Sequence, residues 1–224
     1  MTRQRLVVTF DLFSALLDSR TGGSAAFDRL ASANGWAATG VEVYDAWDPR
    51  NKAAQRDCGS WEPWREPASR ALAATYDELG LDADVGADVE TLLESMSQWP
   101  LWPDVAAGLS ALADEHRVGL LSNVDDEIFL RTAAADLVDH AVAMTSQQLG
   151  VYKPHSAIYL RALELAGPMV HVATSARDVR GALDAGIPVV RLRRPGHALD
   201  PDGPRPHHEV DTVHDLPAAL AAFG

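Results

Sequence analysis

The chain has 224 residues and a formal net charge of -13 at pH 7. This acidic balance argues against nucleic acid as a partner, because binding to phosphate backbones draws on clustered Lys and Arg. Cys58 is the single cysteine, which excludes an internal disulfide and any zinc or iron-sulfur site built on a cysteine cluster.

No apolar segment of the sequence approaches the roughly 18 residues that a membrane span requires. Residues 1–5 lead into an apolar strand rather than into the core of a signal peptide. We therefore expect a cytoplasmic protein without a membrane partner. The length suits one large domain, or one domain that carries an insert.

The first predicted element is a strand over the apolar run from Leu6 to Phe10, which ends at Asp11. A run without polar alternation is typical of a central strand buried on both faces. Such a strand delivers the next polar side chain to the carboxyl edge of the sheet, where α/β folds bind ligands. There Asp11 can be a nucleophile, a metal ligand, a general base or only a cap of the following turn. Phe13 can only shape an apolar wall.

Residues 19–99 are predicted to be a helical insert, because this stretch contains no convincing buried strand. Helical periodicity covers 77–80 and 85–96, and turn-forming residues interrupt it at 34–35 and 63–67. The Trp- and Pro-rich stretch 98–103 is predicted to be the return hinge. The sequence therefore predicts a core of residues 1–18 and 100–224 and a helical cap of residues 19–99.

Further apolar runs predict buried strands over 118–121, 169–173 and 189–192. Helices are predicted over 127–136 and 155–165, with a short strand between them over 141–144. A last strand over 210–213 and a helix over 216–223 complete the chain. Strands that alternate with helices predict an α/β fold, a doubly wound parallel sheet with helices on both faces.

Four histidines are not expected to act in catalysis or metal binding. Residues 195–208 are rich in Pro, Gly and His, and we predict a mobile surface loop without a role in the core. His197, His207 and His208 belong to this loop and are not expected to form a functional metal site. His171 lies inside a predicted buried strand and is expected to be a core histidine with its hydrogen bonds satisfied.

Polar side chains follow the other predicted strands and should meet at one cleft. Ser122 and Asn123 follow the second strand and offer donors to an anion, and Lys153 supplies a positive charge. Ser175 and Asp178 follow the strand over 169–173, where Asp178 can hold Lys153 or orient a water. Each residue alone also suits a structural role, such as a helix cap or a solvated surface position. Their joint occurrence at strand ends favours a functional site.

With these motifs in this order, the chain resembles the haloacid dehalogenase superfamily over nearly its whole length. The four motifs of the superfamily are matched by residues 10–18, 121–123, 152–154 and 174–178. The resemblance is strongest to the L-2-haloacid dehalogenase branch, because Phe13 stands where phosphatases of the superfamily carry a second aspartate. It implies a Rossmann-like core with a helical cap inserted after the first strand.

The resemblance also implies a mechanism without a metal or another cofactor. Asp11 attacks a carbon that bears a leaving group, and water near Lys153 and Asp178 then hydrolyses the ester at its acyl carbon. The implied substrate is a small carboxylate, and a homodimer is plausible for such a protein. The implied substrate-binding residues are Phe13, Ser14, Ser122, Asn123, Trp64, Tyr159, Ser175 and Arg50.

Two departures from the family pattern keep alternatives open. The usual Gly-Thr of the first motif is Ser14-Ala15, and Asp48 stands where a cap arginine is expected. Nearby arginines without a unique match are Arg50, Arg56 and Arg65. The alternatives are a catalytically weak or inactive binding protein and an atypical phosphatase, which would use Mg²⁺.

Overall fold

The computed structural model describes residues 5–224, so residues 1–4 of the predicted core lie outside the described residues. Its six strands are β1 (Val7–Phe10), β2 (Arg117–Ser122), β3 (Ala143–Thr145), β4 (Met169–Ala173), β5 (Val189–Leu192) and β6 (His208–Val210). They form one parallel sheet in the order β3-β2-β1-β4-β5-β6. The predicted doubly wound parallel sheet is confirmed.

Four helices follow β1 ahead of the return to the core at α5 (Val105–Glu115), which confirms the predicted helical insert after the first strand. They are α1 (Ser19–Asn34), α2 (Gly40–Asp57), α3 (Arg65–Leu79) and α4 (Val85–Ser95), followed by a 3-10 turn over Met96–Gln98. The predicted interruption at 63–67 is wrong in its second half, because α3 already begins at Arg65 and contains Pro67. Proline is tolerated in the first turn of a helix, where its missing N–H has no intrahelical partner to lose.

Six further helices follow along the rest of the chain. They are α5 (Val105–Glu115), α6 (Asp126–Leu130), α7 (Ser146–Leu149), α8 (Ser156–Ala166), α9 (Ala176–Asp184) and α10 (Leu216–Leu220). Among residues 5–224, no helix is both long and apolar enough to cross a membrane.

Several predicted boundaries are wrong by a few residues. The helix predicted over 127–136 ends at Leu130, and the Thr132 hydroxyl donates to the Phe129 carbonyl just beyond this end. The last strand is His208–Val210 rather than 210–213, because Thr212 and Asp215 form a capping box that starts a 3-10 turn. Similarly, β3 begins two residues later than predicted, after a 3-10 turn.

The loop predicted over 195–208 does lack helix and strand before His208, but it is not without a role in the core. The buried Arg191 side chain donates a hydrogen bond of 2.6 Å to the His197 carbonyl. This bond ties the loop to β5.

The strand register brings the candidate residues to one edge of the sheet. Phe10 lies opposite Leu120 on β2 and Val172 on β4, and the Asp11 N–H donates to the Val172 carbonyl at 3.1 Å. The polar residues that follow the three strands therefore leave the sheet side by side. The helices of the insert lie above this edge, and residues of both parts line a cleft between them.

Candidate active site

The Asp11 carboxylate is held at one oxygen only. Its Oδ1 accepts a hydrogen bond of 3.0 Å from Ser122 Oγ and another of 3.0 Å from Lys153 Nζ. Oδ2 receives no hydrogen bond from residues 5–224, and Asp11 lines the cleft. One carboxylate oxygen is therefore fixed in place while the other stays available to a ligand.

Lys153 is a buried ammonium with all three of its protons in use. Besides Asp11, its Nζ contacts Asp178 Oδ2 at 2.6 Å and the Leu121 carbonyl at 2.8 Å. Burial alone would lower the pKa of Lys153, but the charges of Asp11 and Asp178 raise it by more, and the net pKa is above its ordinary value. The amine is therefore charged at neutral pH.

Asp178 accepts hydrogen bonds from three side chains. In addition to Lys153, His171 Nε2 lies 3.1 Å from its Oδ2 and the Tyr159 hydroxyl donates to its Oδ1 at 2.8 Å. Burial would raise the pKa of Asp178, but Lys153 and His171 lower it well below its ordinary range. Asp178 is therefore ionised. A carboxylate offers about four acceptor sites, so these three bonds leave about one for a water.

His171 is fully buried, as expected for a core histidine. Its Nδ1 lies 3.0 Å from Thr9 Oγ1, and its other ring nitrogen contacts Asp178. The contact with Asp178 was not predicted from the sequence, although His171 lies in β4, the strand that precedes the helix of Asp178. It makes His171 a support of the charged cluster.

Asn123 connects the second and third motifs and the cap. Its Oδ1 accepts from the Lys153 backbone N–H at 2.6 Å, and its Nδ2 donates to the Lys153 carbonyl and to Gln55 Oε1, each at 3.0 Å. Both side-chain amide protons are thus used, so the side chain of Asn123 has none left for a substrate anion in this arrangement. Asn123 lines the cleft and holds Lys153 in place.

Aromatic side chains form the apolar wall of the cleft. The ring centroid of Phe13 lies 6.2 Å from that of Trp64 and 5.7 Å from that of Trp99. The ring centroids of Trp47 and Trp64 are 6.0 Å apart. Trp64 lines the cleft, and its buried Nε1 has no hydrogen-bond partner among residues 5–224. The wall gives the cleft an apolar side beside Asp11.

The polar face of α2 was missed as part of the site. Its cleft-lining residues recur every three or four positions, which is the spacing of one helix face. These residues are Tyr44, Trp47, Asp48, Asn51, Lys52 and Gln55. The spacing is visible in the sequence but does not by itself say that this face points toward Asp11. The only indication was the resemblance, which places a cap arginine at the position of Asp48. Arg177 of α9 also lines the cleft and was missed.

Three residues predicted to bind substrate do not line the cleft. Arg50 forms an ion pair with Glu78 on the outer side of α2. Tyr159 is fully buried and bonds to Asp178, and Ser122 is fully buried and bonds to Asp11. The other two candidate cap arginines also pair with acids elsewhere, Arg56 with Asp57 and Arg65 with Glu90. The cap therefore presents no arginine to the cleft within the described chain.

Ser14 and Ser175 both line the cleft, as predicted. Ser14 has a φ of 76°, which lies in the left-handed region that favours glycine. Its N–H donates to Ser19 Oγ and its carbonyl accepts from Trp102 Nε1. These bonds hold a strained residue in the position where the resembling family has glycine.

Ser14→Gly is expected to raise the free energy of unfolding by about 1 kcal/mol, because glycine adopts this backbone conformation without strain. For a chain of this size we expect Tm to rise by about 2–4 °C, measured by thermal unfolding. The matched control is Ser69→Gly inside α3, where glycine lowers stability by about 0.5 kcal/mol. Equal loss of stability in both variants would show that Ser14 stores no backbone strain.

Asp125 links the cap to the core. It directly precedes α6, but its carboxylate does not cap that helix. It accepts instead from Trp61 Nε1 at 3.2 Å and from the Trp64 N–H at 2.9 Å. These bonds fix Trp64 over the cleft.

Comparisons with known proteins bear on both the family and the fold. Residues 6–186 match the model of the haloacid dehalogenase-like hydrolase family. The pyrimidine 5'-nucleotidase YjjG of Escherichia coli (strain K12) is 26% identical over 152 residues, which are 62% of this chain and 66% of that protein. The match thus spans just under two thirds of that relative's length.

Solved structures with the same fold include two L-2-haloacid dehalogenases. The enzyme of Xanthobacter autotrophicus with chloropropionic acid covalently bound has a TM-score of 0.82 at 20% identity, over 99% of this chain and 100% of that one. The defluorinating L-2-haloacid dehalogenase Rha0230 has a TM-score of 0.82 at 24% identity, over 98% of this chain and 96% of that one. The matched family model covers most of the sequence and all four motif regions. The chain belongs to the haloacid dehalogenase-like hydrolase family.

Proposed function

We propose that the protein is a metal-independent hydrolase that removes halide from a small 2-halo carboxylic acid. The observation that carries this proposal is the asymmetry of Asp11, whose Oδ1 is held by Ser122 and Lys153 while its Oδ2 is free of hydrogen bonds from the described residues. A carboxylate oxygen that is fixed and unshielded can attack carbon. The Phe13 wall beside it suits an apolar carbon centre rather than a phosphoryl group.

The reaction would proceed through an ester on Asp11. Oδ2 forms a bond to the α carbon while the carbon–halogen bond breaks, and the halide leaves with the electron pair. Because halide is a weak base, this step needs no general acid, which agrees with Phe13 in place of a second carboxylate. Water then attacks the acyl carbon of the ester, and the bond from that carbon to the ester oxygen breaks. The products are the 2-hydroxy acid, the Asp11 carboxylate and one proton, which leaves to solvent.

Asp178 would orient this water rather than act as a strong base. Its pKa is held well below the ordinary range, and low basicity limits proton removal. Its side chain lines the cleft and stands next to Lys153, whose ammonium contacts Asp11. Lys153 would therefore stabilise negative charge that develops on the Asp11 acyl group during hydrolysis.

The residues do not fit a magnesium ion. Mg²⁺ prefers several oxygen ligands from carboxylates and carbonyls. Here both Asp178 oxygens accept hydrogen bonds, the Thr174 hydroxyl donates to the Leu192 carbonyl, and Phe13 offers no oxygen. Within residues 5–224 no group of three His, Cys, Asp or Glu side chains is placed to hold a metal. The donor set thus favours the dehalogenase proposal over an Mg²⁺-dependent phosphatase.

Halide release from short 2-halo acids tests the proposal. We expect release from at least one of 2-chloroacetate, 2-chloropropionate and their bromo analogues, at a rate unchanged by EDTA, because no metal takes part. The assay is chloride or bromide titration with matched incubations in Mg²⁺.

Two outcomes would contradict the proposal. Hydrolysis of nucleoside monophosphates that requires Mg²⁺, without halide release, would support the phosphatase, a reaction suggested by the name of the E. coli relative. Absence of both activities would support a binding protein with little catalysis.

A further inference from the structure

Three cationic side chains line the cleft, and two of them are neutralised by neighbouring carboxylates. Lys52 Nζ lies 2.5 Å from Asp48 Oδ2, and Lys153 lies between Asp11 and Asp178. Arg177 is the third, and no carboxylate of residues 5–224 lies within ion-pair distance of it. It is therefore the one cation of the described cleft whose charge no acid compensates.

The position of Arg177 is fixed at the boundary between core and cap. It is the second residue of α9, directly before Asp178, and it is half-buried. Its Nη1 donates a hydrogen bond of 3.0 Å to the Lys52 carbonyl on α2. A guanidinium has five N–H donors, so this single bond orients the group and leaves most of its donors available.

We propose that Arg177 is the residue that binds the carboxylate of the substrate and so determines specificity. This inference rests on the proposed function, since it assigns a partner to the carboxylate of a 2-halo acid. A planar guanidinium matches a carboxylate through two parallel hydrogen bonds, and such charged bonds are strong in a half-buried cleft. The resembling family has a cap arginine where α2 has Asp48, so α2 does not supply this positive charge. Arg177 supplies it from the core.

Lys52 is the alternative receptor, and the structure makes it the weaker one. Its ammonium is bound to Asp48, so a substrate carboxylate there would meet a nearby negative charge. Arg177 carries no such penalty. The two assignments predict different variants to lose carboxylate binding.

Binding of lactate and lactamide to the whole protein tests the proposal separately from catalysis. The two ligands have similar shape, and only lactate carries a charge. Binding can be followed by tryptophan fluorescence, because Trp47, Trp64 and Trp99 line the cleft. We expect wild type to bind lactate more tightly than lactamide. Arg177→Gln should weaken lactate binding about 10- to 100-fold while leaving lactamide binding unchanged.

Two variants serve as controls. Arg177→Lys keeps the charge but loses the paired geometry, and should retain part of the preference for lactate. Arg180→Gln removes another arginine from α9, one that is exposed and paired with Asp200, and should change neither affinity.

Three results would overturn the inference. Equal weakening of lactate and lactamide in Arg177→Gln would mean that Arg177 only supports the structure. Selective loss in Lys52→Gln instead would assign the carboxylate to Lys52. A wild-type protein without preference for lactate would have no carboxylate receptor in the cleft.

The binding and halide assays separate the two proposals. Selective lactate binding through Arg177 without halide release would overturn the dehalogenase proposal but support Arg177 as the residue that binds a carboxylate. Halide release with a KM that is unchanged in Arg177→Gln would keep the dehalogenase and overturn the receptor.

Discussion

Asp11→Asn is expected to lower the rate of halide release by about 10³-fold or more, because an amide does not attack carbon as a carboxylate does. The Asn side chain has nearly the same shape, and its carbonyl oxygen can still accept from Ser122 and Lys153. Lys153 also keeps its bond to Asp178. The fold should therefore survive, and the loss should appear in kcat with thermal stability close to wild type.

The matched control for Asp11 is Asp45→Asn, which changes an exposed carboxylate on α2 that pairs with Arg20. It should release halide at the wild-type rate. Release by Asp11→Asn at a comparable rate would mean that water attacks the substrate directly and that no ester forms on Asp11.

The same prediction has an isotopic form. In a single turnover in ¹⁸O-labelled water, the label should enter the Asp11 carboxylate, because water attacks the acyl carbon of the ester. Mass spectrometry of the peptide that contains Asp11 measures this. Label found only in the 2-hydroxy acid would contradict the covalent route.

The charged cluster could be predicted from the sequence because it depends only on strand order. Asp11, Ser122 and Asp178 each lie at or just after the carboxyl end of a buried strand, and parallel pairing brings these ends together. Lys153 follows β3 and joins the same edge. Apolar runs of four to six residues were sufficient to locate these strands.

The cap side of the cleft could not be predicted in the same way, because it depends on helix rotation. Arg50 and Lys52 are two residues apart on α2, and two residues rotate about 200° around a helix. Lys52 therefore lines the cleft while Arg50 points away and pairs with Glu78. Only packing of α2 against its neighbours decides which face is inward. Tyr159 was misassigned for the same reason, since its face of α8 packs under Asp178.

Lys153→Met is expected to lower the free energy of unfolding by about 3–5 kcal/mol at neutral pH, the cost of a buried charge that loses its partner. Asp178 has a side chain that is only 4% exposed and would keep only His171 and Tyr159 as partners. The control Lys52→Met breaks a half-exposed pair with Asp48 and should cost at most about 1 kcal/mol.

The pH dependence of this loss has a definite sign. In wild type the pKa of Asp178 is lower when folded than when unfolded, so its stabilisation is present above the unfolded pKa of about 4 and is lost as pH falls. Without Lys153, burial raises the folded pKa of Asp178, and the folded state takes up a proton. The free energy of unfolding of the variant then falls further below that of wild type as pH rises through and above about 4.

Urea unfolding of wild type and Lys153→Met from about pH 4 to about pH 8 measures this difference. The gap in unfolding free energy should widen as pH rises and then level off above the raised pKa of Asp178. The gap for Lys52→Met should stay nearly constant over the same range. A gap for Lys153→Met that stays flat with rising pH would mean that Asp178 is protonated in the folded wild type as well. Lys153 would then not be its counter-ion, and the charge that should stabilise the Asp11 acyl group during hydrolysis would have to come from elsewhere in the cleft.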